Sequence, residues 1–290
     1  MSTLSPAVRA GLDGGRAALL VAGLVDDAAV FPPGLAPVDE AVRAHRAWRR
    51  DDLGVVVGPL LIPVSRLGEV LDALDAEPSS EPLDLALVAD TGLVEAAEAR
   101  AILLDDDRVQ LVGLETALPQ DGPLADSARL TLDTLDFALP AALEIPLVPG
   151  WQDALAVVAA DGAERAKFRT GGARVPSPDE LAEVVAACAR LGAAFKLTAG
   201  LHRALRHDVE GGAEHGFVNV LAATAAAIQG RPVPHLASLL DERDPLPLLA
   251  VLADSDPLAV RRRFTSFGSC SVEEPLADLR ELGMLVEVES

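Results

Sequence analysis

Short apolar runs alternate with longer amphipathic runs along the chain, and this alternation constrains the fold more than any other feature of the sequence. The apolar runs have the length of strands. The run 53–62 carries no charged residue, as expected for a strand that is buried on both faces. Strands that alternate with helices pair in parallel. We therefore predict eight parallel strands: the first half of 26–34, then 53–62, 83–90, 109–114, 143–148, 165–170, 194–199 and 264–270.

The best-marked helix lies between the sixth and seventh predicted strands. Ser177 can cap its first turn, Pro178 suits the first helical position, and Gly192 suits its end. Apolar residues recur between these points at helical spacing. One or two short helices are predicted within 5–23. Further helices are predicted at 38–50, 65–76, 94–103, 124–138, 151–160 and 274–282, and Ser65 is the predicted cap of the second of these. A surface loop is predicted at 77–81.

Eight strands alternating with helices in one chain of 290 residues favour a (β/α)8 TIM-like barrel over a Rossmann fold. No Gly-x-Gly-x-x-Gly or P-loop pattern follows any predicted strand, so we expect no nucleotide cofactor and predict none of another kind. The whole chain, 1–290, is interpreted as a single barrel domain.

The connection between predicted strands 7 and 8 is about 60 residues long, far more than one helix needs. A long apolar helix is predicted at 216–229, and two shorter helices within 235–253. An apolar helix needs a surface to pack against. We therefore predict that 205–260 forms a helical cap insertion over the carboxyl ends of the strands.

The composition limits the partners. The net charge of −21 argues against nucleic acid and anionic membranes as binding partners. No uncharged apolar run reaches about 18 residues, and no signal peptide is recognised, so a cytoplasmic location is expected. With two cysteines, Cys188 and Cys270, a disulfide framework is not expected. A small-molecule substrate is the expected partner, and a homo-oligomer is left open.

Two lysines stand out because they are the only lysines in the chain, whereas the remaining 22 of the 24 basic residues are arginines. Lys167 and Lys196 occupy similar places, near the carboxyl ends of predicted strands 6 and 7. A lysine can lose its proton and act as a nucleophile or base, which an arginine does not do. The two lysines therefore indicate a requirement for an amine, unless they are chance survivors of an arginine-rich composition.

The motifs around these lysines resemble those of deoxyribose-phosphate aldolase and related class I aldolases. Lys167, Thr170 and Gly171 match Lys-x-x-Thr-Gly on strand 6, and Lys196 and Gly200 match Phe-Lys-x-x-x-Gly on strand 7. The resemblance implies that Lys167 forms a Schiff base with a carbonyl substrate and that Lys196 lowers the pKa of Lys167. It covers only about 40 residues.

The chain departs from that family where the family binds phosphate, because Ala199 and His202 replace a glycine and an arginine. Ser266 and Gly268, on predicted strand 8, could form a different anion-binding loop. Whether the substrate is phosphorylated therefore stays open.

Three acids on consecutive strands support a second interpretation. Asp90, Glu115 and Glu144 lie at or near strands 3, 4 and 5, where they could hold Mg²⁺ for proton abstraction beside a carboxylate. Glu144 interrupts an otherwise apolar strand, and a buried acid needs a partner. Lys167 on the next strand is the natural one, in a catalytic or a structural pair.

Further candidates surround the predicted mouth of the barrel. His202 is a candidate general acid–base, and Arg169 shares a strand face with Lys167 and could bind a substrate carboxylate. His215 and Asn219 lie four residues apart on the predicted cap helix and could point into the site. Thr170, Glu115, Ser266 and Gly268 complete the predicted substrate-binding set.

Three functions are therefore carried forward: a Schiff-base lyase acting on a small carbonyl compound, with or without a carboxylate; a Mg²⁺-dependent barrel lyase or isomerase; and a non-catalytic binding or scaffold barrel. We predict that Lys167, Lys196 and Glu144 converge in one water-accessible pocket, with the two lysine nitrogens close enough to share it.

Overall fold

The computed structural model describes residues 5–51, 53–77, 79, 81–135 and 139–285. Eight parallel strands close into a barrel in the order β1-β10-β7-β6-β5-β4-β3-β2, which confirms the predicted fold class. The described helices include none that is long and apolar enough to cross a membrane. The barrel strands are β1 Val25–Asp27, β2 Val57–Pro63, β3 Leu83–Val88, β4 Val109–Ala117, β5 Ala141–Glu144, β6 Arg165–Arg169, β7 Phe195–Thr198 and β10 Phe264–Ser269, and a separate hairpin joins β8 His207–Val209 to β9 Gly212–Glu214.

Helices surround the barrel, and most of them lie close to their predicted positions. They are α1 Pro6–Arg9, α2 Gly14–Val21, α3 Val38–Arg50, α4 Leu67–Ala76, α5 Leu93–Leu104, α6 Leu124–Thr134, α7 Trp151–Asp161, α8 Pro178–Leu191, α9 Phe217–Ile228, α10 Val233–Asp241, α11 Pro245–Ala253, α12 Pro257–Arg263 and α13 Glu273–Leu282. The predicted end of the sixth helix falls on 136–138, and part of the predicted loop 77–81 falls on 78 and 80, outside the described residues.

Several boundaries differ from the prediction for identifiable reasons. Strand β5 ends at Glu144 rather than continuing to 148, since Pro146 has no N–H to donate to a ladder. Ser65 does not cap α4, because the Ser65 hydroxyl donates to Asp90 at 2.5 Å. Ser65 also lies within a 3-10 turn, Val64–Arg66, that precedes the helix. Strand β2 likewise begins only after a 3-10 turn, Gly54–Val56.

Helix α8 connects the two lysine-bearing strands and begins and ends as predicted. Ser177 and Glu180 form a reciprocal capping box at its start. Gly192 ends the helix in the left-handed region at φ 72°. The connection is therefore a regular β–α–β unit, with β6 and β7 as parallel neighbours.

The main hydrophobic core lies between the strands and the surrounding helices. Trp151 of α7 packs edge-on against Phe168 of β6, and Phe217 of α9 stacks on Phe267 of β10 at 5.0 Å between ring centroids. A second, small apolar cluster of Ala28, Leu61 and Ala86 is separate from that core and lies on the inward strand faces. The barrel interior also contains charged residues, among them Asp26, Glu115, Lys167 and Lys196.

The long connection after β7 is helical, but its helices do not form the predicted cap over the strand ends. Helix α9 packs between α8 and β10, so it occupies the usual ring position of a barrel helix. Helices α10 and α11 pack outside α9, and α12 contacts α2 and β10. The physical reason is that α9 is apolar on nearly all sides, which requires burial between two layers rather than along one face.

Candidate active site

The two lysines face the barrel interior at the same level. Lys167 of β6 is paired in register with Lys196 of β7, and Glu144 of β5 is paired with Lys167. Side chains alternate along a strand, so Phe168 points outward to the helices while Lys167 and Arg169 point inward. Register thus places one acid and two amines side by side.

Glu115 of β4 bridges the two lysines. Its Oε2 lies 2.7 Å from Lys167 Nζ, and its Oε1 contacts Lys196 Nζ. Each amine has one further acid: Glu144 Oε2 lies 2.9 Å from Lys167 Nζ, and Asp26 Oδ2 lies 2.5 Å from Lys196 Nζ. These five residues are called the lysine cluster below.

Burial and opposite charge act against each other in this cluster, and charge prevails. Burial alone would raise the pKa of Glu115, but Lys196 and Lys167 together lower it to about 2. Burial would lower the pKa of Lys196, but Asp26 and Glu115 raise it above its usual value. Glu115 is therefore a fixed anion and Lys196 a fixed cation at neutral pH.

The Lys167 side of the cluster is closer to solvent than the Lys196 side. The side chain of Glu144 is 18% exposed, compared with 4% for Glu115 and 5% for Asp26. Arg169 follows on the same face with a 54% exposed side chain, and its Nη1 lies 3.5 Å from Glu144 Oε1. A ligand from the carboxyl end of the barrel would thus meet Arg169 and Glu144 before Lys167.

Thr170 and the glycines of the lysine motifs join the ends of β6 and β7. The Thr170 hydroxyl donates to the Ala199 carbonyl at 2.5 Å, and the residue is fully buried. Thr170 was predicted to bind substrate, but its side chain is not exposed to a ligand. A Cβ on Gly171 would lie 2.8 Å from the Gly200 nitrogen. The two motifs therefore meet each other and hold the ends of β6 and β7 in close contact.

Asp90 lies outside the cluster, contrary to the magnesium interpretation. Its carboxylate binds the backbone and hydroxyl of Ser65, because β3 ends before it. Glu115 and Glu144 are already paired with lysines. Within the described ranges, no group of three or more His, Cys, Asp or Glu side chains is arranged to hold a metal ion.

His202 is also separated from the lysines. It lines a cavity of about 990 Å³ at the barrel rim, and no member of the lysine cluster lines that cavity. Its Nδ1 lies 3.7 Å from Cys270 Sγ and 3.4 Å from Glu274 Oε2. Burial raises the pKa of the Cys270 thiol, so this cysteine is not an activated nucleophile.

His215 and Asn219 stabilise the insertion instead of entering the site. His215 Nε2 lies 2.7 Å from the Pro176 carbonyl, and Asn219 donates to the carbonyls of Leu239 and Glu242 while accepting from Arg206 N–H. Their predicted roles in the site depended on a cap over the strand ends. Because the helices do not form that cap, neither residue contacts the lysine cluster.

Ser266 reaches the cluster, whereas Gly268 is a neighbour by register. The Ser266 hydroxyl donates to Asp26 Oδ2 at 2.7 Å, so it supports an acid rather than forming an anion-binding loop. Gly268 pairs with Asp26 and Thr198 across β10. Sequence reasoning missed Asp26. The available signal was an acid inside the first strand, which barrel closure brings next to β10.

No protein-family model matches this chain, no curated protein is significantly similar to it, and no solved structure matches it. The function is therefore inferred from the geometry of the lysine cluster.

Proposed function

We propose that this barrel is a class I, Schiff-base lyase that acts on a small carbonyl compound, with Lys167 as the nucleophile. The observation that carries the proposal is the asymmetry of the two lysines. Lys196 is held between two buried acids, whereas Lys167 is bound by Glu144, the most exposed acid of the cluster. Only Lys167 combines an interior position with a partner that can exchange protons with solvent.

The chemistry begins with the removal of a proton from the Lys167 ammonium. Glu144 accepts it at hydrogen-bond distance. The amine then attacks the substrate carbonyl carbon, forming a C–N bond. The oxygen of this adduct takes back the proton held by Glu144 and takes a second proton from the attacking nitrogen, and the C–O bond breaks as water leaves. The resulting iminium draws electrons from the neighbouring C–C bond and makes its cleavage easier.

Lys196 and Glu115 set the electrostatic environment of this reaction. Lys196 remains a cation because its pKa is raised, so it places a fixed positive charge on the strand beside Lys167. Glu115 binds both nitrogens and fixes their separation while the Lys167 charge changes. The aldolase resemblance assigns the same division of roles to the two lysines.

Arg169 is the proposed contact for a substrate carboxylate. It shares the inward face of β6 with Lys167, and its guanidinium is largely exposed. A 2-oxo acid would place its carboxylate on Arg169 and its carbonyl carbon near Lys167. We therefore favour short carbonyl compounds that bear a carboxylate.

Borohydride trapping tests the proposal sharply, because Lys167 and Lys196 are the only side-chain amines in the chain. The protein is incubated with pyruvate, glyoxylate or acetaldehyde, reduced with sodium borohydride, digested and mapped by mass spectrometry. We expect a stable adduct on Lys167 with at least one of these compounds.

The chain offers matched controls. Lys196→Arg should retain the adduct on Lys167, whereas Lys167→Arg should lose it. The Lys167→Arg/Lys196→Arg variant reports labelling of the terminal amine alone. Trapping confined to the terminus, or an adduct on Lys196 only, would contradict the assignment of Lys167 as the nucleophile.

A further inference from the structure

The barrel interior contains a cavity below the lysine cluster, on the side of the strand amino ends. It has a volume of about 310 Å³, and Asp26, Glu115, Lys196 and Ser266 of the cluster region line its inner end. Its outer end is lined by Arg49 of α3 and by residues at or next to the first positions of strands: Val57, Asp84, Arg165 and Thr265. This space is called the amino-end cavity.

Several positions around the cavity carry small residues. Barrels of this type usually fill their interior with bulky branched side chains. Here Gly58, Ala86, Gly113 and Ala142 line the space together with larger residues such as Leu61. A Cβ on Gly58 would collide with Asp26 Oδ1, so this glycine is required by the acid beside it.

Arg165 is the charge in this cavity without a matching partner. It precedes Lys167 on the inward face of β6, is half-buried, and its backbone pairs with Ala142. A Cβ on Gly113, two strands away, would lie 3.8 Å from Arg165 Nη2, so the guanidinium reaches across Ala142 into the space.

The other two cations that line the cavity, Arg49 and Lys196, have ion-pair partners. Arg49 Nη2 lies 3.0 Å from Asp84 Oδ2, and Lys196 is bound by Asp26 and Glu115. Across the described part of the chain, the guanidinium of Arg165 makes no hydrogen bond or ion pair. The neighbouring Glu164 attracts Arg165 electrostatically but does not form an ion pair with it. The Glu164 carboxylate instead accepts a hydrogen bond from the Ala141 N–H.

We propose that the amino-end cavity binds a small monovalent anion, a short carboxylate or a halide ion, with Arg165 as its cationic contact. Among the described residues Arg165 is the lining cation without an ion-pair partner, and a guanidinium binds carboxylate oxygens in pairs. The fixed acids of the cluster above disfavour a second negative charge. This site is distinct from Arg169, which lies at the other end of the same strand, and it does not depend on Schiff-base chemistry.

Thermal melting and titration calorimetry of the full-length protein test this site, with sodium acetate, sodium chloride and sodium sulfate as the probes. A ligand that binds only the folded state raises the Tm with its concentration. All three salts should change the Tm gradually and without saturation, to the same extent in all variants; we call this change the salt slope. We expect acetate or chloride to add a saturable rise in Tm to the salt slope, and sulfate to produce the salt slope alone. The relative affinities of acetate and chloride identify the preferred anion.

Arg165→Gln should weaken the saturable binding at least tenfold, whereas Arg169→Gln, the matched change on the same strand face, should retain it. A common salt slope in the wild-type protein with no saturable part would overturn the proposal. So would loss of binding in Arg169→Gln but not in Arg165→Gln.

A second variant keeps the test decisive if Arg165→Gln fails to fold. Ala142→Val leaves Arg165 in place and adds two methyl groups to the cavity wall, so it should abolish saturable binding by occupying the space. Wild-type affinity in Ala142→Val would show that the anion binds elsewhere.

Discussion

The two lysines have different surroundings although their sequence motifs are alike. Lys167→Arg should abolish turnover and borohydride trapping while largely preserving folding, because arginine keeps the positive charge between Glu115 and Glu144 but cannot form a Schiff base. Lys196→Arg should be milder, since a cation remains beside Lys167, the proposed nucleophile. Turnover and thermal melting by circular dichroism are measured on both variants. An active Lys167→Arg protein would exclude the mechanism at that residue, and an unfolded one would show a structural role.

Glu115 should stabilise the fold in a pH-dependent manner. Its folded-state pKa is lowered from the usual 4.5 to about 2. For an acid whose pKa is lower in the folded state than in the unfolded state, the stabilisation is complete above the unfolded-state pKa, here 4.5. It is lost as the pH falls towards the folded-state pKa of about 2. The shift corresponds to about 3 kcal/mol.

Glu115→Gln should therefore reduce the free energy of unfolding by about 3 kcal/mol at pH 7, and by less as the pH drops below 4.5. Urea unfolding between pH 3 and 7 measures the difference from the wild-type protein. Glu98→Gln, a change at an exposed acid, provides the control and should have little effect at any pH. A deficit that does not shrink in acid would mean that the loss comes from packing rather than from charge.

At the scale of elements, the contact between the ends of β6 and β7 decides where the lysines point. A Cβ on Gly171 would lie 2.8 Å from the Gly200 nitrogen, so Gly171→Ala must push the two strand ends apart. We expect a loss of roughly 2 kcal/mol, as for other overpacked sites, together with reduced activity. Urea unfolding and turnover measure the two effects.

Gly122→Ala is the matched control, because a Cβ at that position would meet no atom within 4 Å. It should leave both stability and activity close to the wild-type values. Equal effects of the two changes would mean that the strand contact has no special importance.

The elements also show what the sequence could and could not predict. The barrel was predictable because strands such as β2 and β3 are largely apolar and helices such as α3 have a readable periodicity, and the predicted bounds of α3 agree with Val38–Arg50. The pairing of Lys167 with Glu144 followed from the order of neighbouring strands. Asp26 was missed because it reaches Lys196 only through closure of β1 onto β10, a contact between the two ends of the chain.

The position of the insertion was the largest error, although its helices were expected. The sequence 217–228 is apolar on nearly every side, with Asn219 and Thr224 as its polar residues. Such a helix is buried on all sides, whereas a cap would leave one face in water. His215 and Asn219 were therefore assigned to the site when their hydrogen bonds serve the outer helices.

At the scale of the whole molecule, two kinds of electrostatics operate at once. The chain carries a net charge of −21, so surface acids repel one another and oppose the compact state. The lysine cluster is an attraction between buried groups. Salt screens exposed charges strongly, with a Debye length of about 30 Å at 0.01 M and about 10 Å at 0.1 M, but screens buried pairs much less.

Added salt should therefore separate the two contributions. We expect the free energy of unfolding in urea to rise between 0.01 and 0.3 M NaCl, while the difference caused by Glu115→Gln stays near about 3 kcal/mol. Both proteins carry Arg165→Gln in this experiment, so that specific anion binding does not contribute. If the Glu115→Gln difference fell as the salt concentration rose, the cluster would be open to solvent, and its charges would not be fixed as the proposed Lys167 chemistry requires.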